Sequence, residues 1–193
     1  GLYNRAELQS SGSMIAQDND CMPTPKAPNI THSKVVVGTP AVVAGSPTQY
    51  DVRYRITVQN TGAGAGVYDL SDTFGFDPNV TIISVTPVTH GGTDALATTI
   101  NSGFDGVADG VIVNTESIAA GGSETYEFVV RVNVPAGSSV ANDACVPATS
   151  GNGLFNNARL RTWSGAVDAD ACTETPKVAN ISHEKSIATP VAL

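Results

Sequence analysis

A lysine, an aspartate and an asparagine hold the chemistry that this chain could do. Strict alternation of apolar and polar residues decides which side chains of a strand share a face. By that count Lys34 shares a face with Ile30 and Val36, Asp72 with Tyr68, Leu70 and Phe74, and Asn156 with Leu154, Ala158 and Leu160. All three polar groups then point into a core, where an unpaired amide or charge costs several kcal/mol. Burial pushes an amine toward its neutral, nucleophilic form and a carboxyl toward its protonated form. In one arrangement all three stay inward, where buried polar groups need partners. A second arrangement fits the same pattern: Lys34 extends to the surface or pairs with Asp72, and Asn156 caps backbone groups.

Strands must position these residues. Tyr50–Val58 alternates without a break, and Tyr126–Val134 does the same before ending at Pro135-Ala136-Gly137. Shorter strands are expected over Gly66–Phe74, Val80–Thr86 and Gly110–Glu116, with turns at Gly62-Ala63-Gly64, His90-Gly91-Gly92 and Ala119-Ala120-Gly121-Gly122. A first strand covers Ile30–Val37 and a last one Leu154–Arg161. No stretch longer than a turn or two has a 3.6-residue apolar period. Low charged content (15%) with 19 glycines and 11 prolines also favours strands joined by turns. The expected fold is all-β, an immunoglobulin-like two-sheet sandwich in which each sheet covers the other's apolar face.

The chain also repeats itself. Gly1-Leu2-Tyr3-Asn4-Arg5-Ala6-Glu7-Leu8 returns about 152 positions later as Gly153-Leu154-Phe155-Asn156-Asn157-Ala158-Arg159-Leu160. Pro25-Lys26, Asn29 through His32 and Lys34 likewise align with Pro176-Lys177, Asn180 through His183 and Lys185. The expected organisation is one complete repeat at 26–176, preceded at 1–25 by the terminal hairpin of one copy and followed at 177–193 by the first strand of the next. Within this frame Cys21 corresponds to Cys172, and Cys145 has its counterpart before Gly1. That implies one disulfide per repeat, Cys145 to Cys172, with Cys21 bonded to a partner in the preceding copy. Disulfides belong to oxidising, extracellular settings. Three unrelated buried thiols are the alternative.

Other chemistries find little support. The net charge is -8 and the basic residues form no cluster, which disfavours nucleic acid as a partner. No apolar run approaches the roughly 20 residues of a spanning helix, so no membrane contact is expected of this segment. Asp105 with Asp109, and Asp168 with Asp170, lack the spacing of a twelve-residue calcium loop. His32, His90 and His183 lie in no metal-ligand spacing. No nucleophile elbow, phosphate loop or paired-cysteine pattern is present, so no metal, no cofactor and no enzymatic activity on an outside substrate are expected. Asn29, Asn79 and Asn180 open N-glycosylation sequons, the first and third at equivalent repeat positions.

Lys34 in a first strand, the Tyr-x-Val-x-Tyr-x-Ile-x-Val strand ending in Gln59-Asn60-Thr61-Gly62, the following Leu70-Ser71-Asp72-Thr73-Phe74 and the Asn156-containing last strand together resemble the DUF11-type repeats of large bacterial and archaeal surface proteins. The resemblance covers most of Asn29–Leu160, and the cysteine-bearing tail at about residues 141–176 departs from the short form of that repeat. It implies export, tandem sandwiches and a structural or adhesive role at the cell surface. Lys, Asp and Asn on the first, a middle and the last strand are also similar to the arrangement in intramolecular isopeptide domains of surface adhesins. That likeness implies that Lys34 condenses with Asn156, assisted by Asp72, with loss of ammonia. The expected partners are neighbouring copies of the domain, head to tail in an extracellular or cell-surface fibre. The alternative is an adhesin or carbohydrate-binding module for a surface glycan; Trp163, replaced in the first copy where the region reads Ser10-Ser11-Gly12, is a poor general sugar platform but could mark a copy-specific contact.

Overall fold

The computed structural model describes residues 1–93, 95–136, 142–179, 181 and 183–186. Over these the chain is all-β and every strand pairing is antiparallel, as the alternation required. The strands β1 (Leu2–Ser10) and β2 (Ser13–Met22) pair only with each other. A six-stranded sheet runs β3 (Ile30–Val36), β5 (Ser46–Asn60), β10 (Ser123–Asn133), β7 (Thr81–Val85), with β4 (Ala41–Val43) added on β5 and β8 (Thr89–Gly92) on β10. A four-stranded sheet runs β12 (Gly165–Ala171), β11 (Asn156–Thr162), β6 (Gly66–Phe74), β9 (Val111–Ile118).

One apolar core draws on both sheets. Tyr50, Val52, Tyr54, Ile56 and Val58 of β5 and Tyr126, Phe128, Val130 and Val132 of β10 share it with Tyr68 and Leu70 of β6, Ile112 and Val113 of β9, and Leu160 of β11. Period-2 alternation is the cause: on β5 the intervening Asp51, Arg53 and Arg55 face away from it. Register sets the aromatic contacts, since Tyr54 stands opposite Phe128 and Ile56 opposite Tyr126. At one open side β3, the edge of the larger sheet, packs against β11 and β12 of the smaller one. His32 helps to hold this side, its Nε2 lying 3.1 Å from the Ala158 carbonyl oxygen.

The differences from the sequence expectation have local causes. His90-Gly91-Gly92 is strand rather than turn, because glycine lets β8 lie close to β10; a Cβ at Gly92 would sit 2.6 Å from the Ser123 oxygen. β4 lacks apolar alternation and is a strand through backbone pairing alone, whereas β12 alternates Val167, Ala169 and Ala171 with Asp168 and Asp170 and lies on β11. Described residues from 177 to 186 form no strand, since a strand needs a partner for its backbone groups. Val178 nonetheless packs against the core.

Asn60 explains the Asn-Thr-Gly turn. Its Oδ1 accepts from the amides of Asn29 and Gly62, both at 3.0 Å, and its Nδ2 donates to the carbonyls of Gly64 at 2.8 Å and Ala119 at 3.0 Å. Three chain segments are thus pinned by one buried carboxamide. Gly62 and Gly64 permit the close approach, because a Cβ on either would fall 2.3 Å from the Asn29 nitrogen or 2.1 Å from the Lys26 oxygen. Asn60→Ala strands several buried partners and is expected to cost about 2–4 kcal/mol, measured by denaturant unfolding.

On the outer face Arg131 grips Asp51 with two bonds of 2.8 and 2.9 Å. The guanidinium holds the Asp51 carboxyl below its ordinary 3.8. A depressed carboxyl contributes stability above its unfolded pKa and loses it as pH falls through the folded one. Arg131→Ala should therefore lower the thermal midpoint slightly at pH 7, and the difference should close as pH drops below about 3.8.

Candidate cross-linking site

Three strands deliver one buried polar cluster. Lys34 is carried by β3, Asp72 by β6 and Asn156 by β11, each on the inward face. Register places Asn156 opposite Phe74 and Ala158 opposite Asp72, so the carboxamide lies one step along from the carboxyl. The side chains of Lys34 and Asp72 have no exposure, and Asn156 is fully buried. Lys34 Nζ donates to Asp72 Oδ2. Around the amine stand two rings, with Nζ 5.3 Å from the Tyr54 centroid and 5.4 Å from that of Phe128. The Tyr54 hydroxyl is turned away, donating to the Leu154 carbonyl at 2.7 Å.

The charge state follows from that enclosure. Burial pushes the Lys34 amine below its ordinary value, with Asp72 opposing the shift. Burial also pushes the Asp72 carboxyl up, against the pull of Lys34 and Asn156. Both directions lead away from an ion pair and toward a neutral amine beside a protonated acid.

Among the described residues neither atom of the Asn156 carboxamide has a hydrogen-bond partner, nor does Asp72 Oδ1. Asn156 lies near enough to favour the charged form of Asp72, yet outside hydrogen-bond geometry. A carboxamide fully buried with no partner forfeits roughly 1–3 kcal/mol per group, and such groups call for an explanation beyond packing. The arrangement can present a nucleophilic amine, an acid and an acyl carbon together in a site closed to water.

The remaining candidates sort cleanly. Cys145 and Cys172 form a disulfide with Cα atoms 5.8 Å apart, while Cys21 is a free, exposed thiol. Backbone bonds from Leu154 to the Thr173 carbonyl and from Thr175 to the Asp143 carbonyl hold the tail around that disulfide. Asn29 is exposed, its Nδ2 donating to Thr61 Oγ1 at 2.7 Å; Asn79 is exposed and donates to Asp77 at 2.9 Å. Asn180 lies outside the described residues. Asp105 Oδ1 accepts from the amides of Val107, Ala108 and Asp109, which spends it on its own loop. Asp168 faces Arg159 and Asp170 accepts from Asn157. No group of three metal-ligating side chains occurs among the described residues. Trp163 is 80% exposed at the β11–β12 turn.

Several buried polar groups escaped the sequence reading, among them Asn60, Asp77, Glu116 and Glu124. Glu124 is fully buried and accepts from the hydroxyls of Tyr68 and Tyr126, the two hydroxyls lying 2.7 Å apart. Extending the Tyr126–Val134 alternation back by two residues would have marked it as inward.

No protein-family model and no curated protein matches this chain. Among solved structures it is similar to a GH20 exo-β-N-acetylglucosaminidase from Vibrio harveyi, in complex with N-acetylglucosamine, at 15% identity and a TM-score of 0.30 over 83% of this chain and 20% of that one. It is also similar to a family 123 glycoside hydrolase from Clostridium perfringens, at 10% identity and a TM-score of 0.31 over 78% of this chain and 28% of that one. The chain thus spans less than a third of the length of either enzyme. Likeness at that level transfers neither fold nor activity.

Proposed function

We propose that this domain is a structural repeat of an extracellular or cell-surface fibre, an immunoglobulin-like sandwich whose strands β3 and β11 are joined by an amide bond between Lys34 and Asn156. The observation that carries this reading is the buried Asn156 carboxamide, unpartnered beside a buried Lys34–Asp72 pair. Nζ of the neutral lysine attacks Cγ of Asn156 while Asp72 gives its proton to the carboxamide. The bond from Cγ to Nδ2 then breaks, ammonia leaves, and the proton lost by Nζ restores the acid. No oxidant or cofactor is consumed. Repetition of the hairpin sequence within the chain supports a head-to-tail arrangement, and the Cys145–Cys172 disulfide suits an oxidising compartment.

Intact mass after full reduction tests it. The chain should run about 17 Da below its calculated mass, and digestion should yield a branched peptide joining the Lys34 and Asn156 segments. A full mass would remove the cross-link and with it the mechanical reading.

A second reading is a glycan-binding surface module, which the exposed Trp163 favours. Binding on a glycan array that Trp163→Ala abolishes would select it; background signal from the wild type would dismiss it.

A further inference from the structure

We infer that the β1–β2 hairpin is the covalent closing hairpin of a second domain of this same type, docking by the face that bears Leu2, Asn4, Ala6 and Leu8. The inference rests on the cross-linking reading above and extends it to a partner. Its support is the pattern of identity between the two hairpins.

In the complete domain Leu154, Asn156, Ala158 and Leu160 face the core and are 0, 0, 0 and 2% exposed. At the equivalent positions the N-terminal hairpin has Leu2, Asn4, Ala6 and Leu8, the same residue each time. The residues between them differ at every position: Phe155, Asn157, Arg159 and Arg161 correspond to Tyr3, Arg5, Glu7 and Gln9. Identity confined to alternate positions is the signature of one face under a packing constraint. Yet among the described residues that face has nothing to pack on. Leu2 and Leu8 are 60% and 59% exposed, and the hairpin joins no third strand among the described residues.

The backbone agrees with the side chains. Asn4 stands opposite Asp20 as Asn156 stands opposite Ala171, so each asparagine keeps the same relation to the cysteine that follows, Cys21 or Cys172. A bulge at Leu8/Gln9 takes up the single residue by which the hairpins differ in spacing. Docked on an acceptor as β11 docks on β6, Asn4 would take the place of Asn156 and Cys21 that of Cys172.

Two bonds would then form. The acceptor's lysine Nζ bonds to Asn4 Cγ, the bond to Nδ2 breaks and ammonia departs. Cys21 pairs with the acceptor's cysteine once a low-molecular-weight disulfide takes up the two electrons and becomes two thiols. One difference marks the acceptor as distinct from this domain's own body: Asp20 replaces Ala171, which is 9% exposed, and so asks for a polar partner there.

A hairpin replacement tests the inference. In the full chain, residues 153–172 are replaced by the sequence of residues 1–21, and a second version carries alanine at the two positions filled by Asp18 and Asp20. Each is incubated with oxidised glutathione, reduced and weighed beside the parent. The expected result is the parent's loss of about 17 Da in at least one version, with a branched peptide joining Lys34 to the transplanted asparagine. A parent that has lost ammonia, beside two replacement chains that stay at full mass or fail to fold, overturns this inference and leaves the cross-link intact. A parent at full mass overturns both.

Discussion

A chain carrying Asp72→Ala is expected to emerge at its full calculated mass and to melt roughly 20–30 °C below the wild type. Two losses combine. Without the acid, the Asn156 carbonyl is not polarised and no group takes the proton from Lys34, so the amide bond does not form. A cross-link closing a loop of more than a hundred residues is worth about 5 kcal/mol through the entropy it removes from the unfolded chain. The substitution also leaves Lys34 buried between Tyr54 and Phe128 without its partner. Leaving a buried neutral hydrogen-bonding group without its partner costs about 1–3 kcal/mol. Asn156→Ala separates the terms, because it keeps the Lys34–Asp72 pair and removes only the bond; its midpoint should fall most of the way but not as far. Calorimetry beside mass spectrometry makes the measurement. A wild-type midpoint within a few degrees of Asp72→Ala, with each chain at its own full calculated mass, would sink the cross-link.

Pulled from its two ends, the wild-type domain should not lengthen by the contour of its core. Load entering along β3 reaches Lys34, crosses the amide bond to Asn156 and leaves through β12, so the chain from Val35 to Phe155 carries none of it. That segment is roughly 400 Å at about 3.4 Å per residue. Asn156→Ala should release most of that length in one step in a single-molecule extension experiment. The Cys145–Cys172 disulfide encloses Asn156 and gives the load a second covalent route to the tail, so reduction should change the wild-type trace only slightly. A wild-type step of several hundred ångströms would show an open chain.

Much of this was legible in sequence because period-2 alternation is a local property. The inward direction of Lys34, Asp72 and Asn156 needed only neighbours two residues away. The Cys145–Cys172 bond came from the repeat, which equated Cys21 with Cys172 and left Cys145 as partner. Sequence was silent where backbone pairing or packing alone decides: β4 and β8 lack apolar alternation, and the Asn60 carboxamide takes its partners from segments about 30 and 60 residues away. Glu124 was missed by starting its strand two residues late.

By itself, then, the sequence determined an all-β chain, the faces of its main strands, the Cys145–Cys172 pairing and the kinship of its two hairpins. Those follow from spacing along the chain. Only the tertiary structure decided that the three polar residues meet. Lys34 and Asp72 belong to different sheets, and β3 reaches β11 because the open side of one sheet folds against the other. It also decided that the Asn156 carboxamide is left without a hydrogen-bond partner among the described residues, a property of everything around it. Distance through space and exclusion of water arise from packing, which no count along a single strand contains.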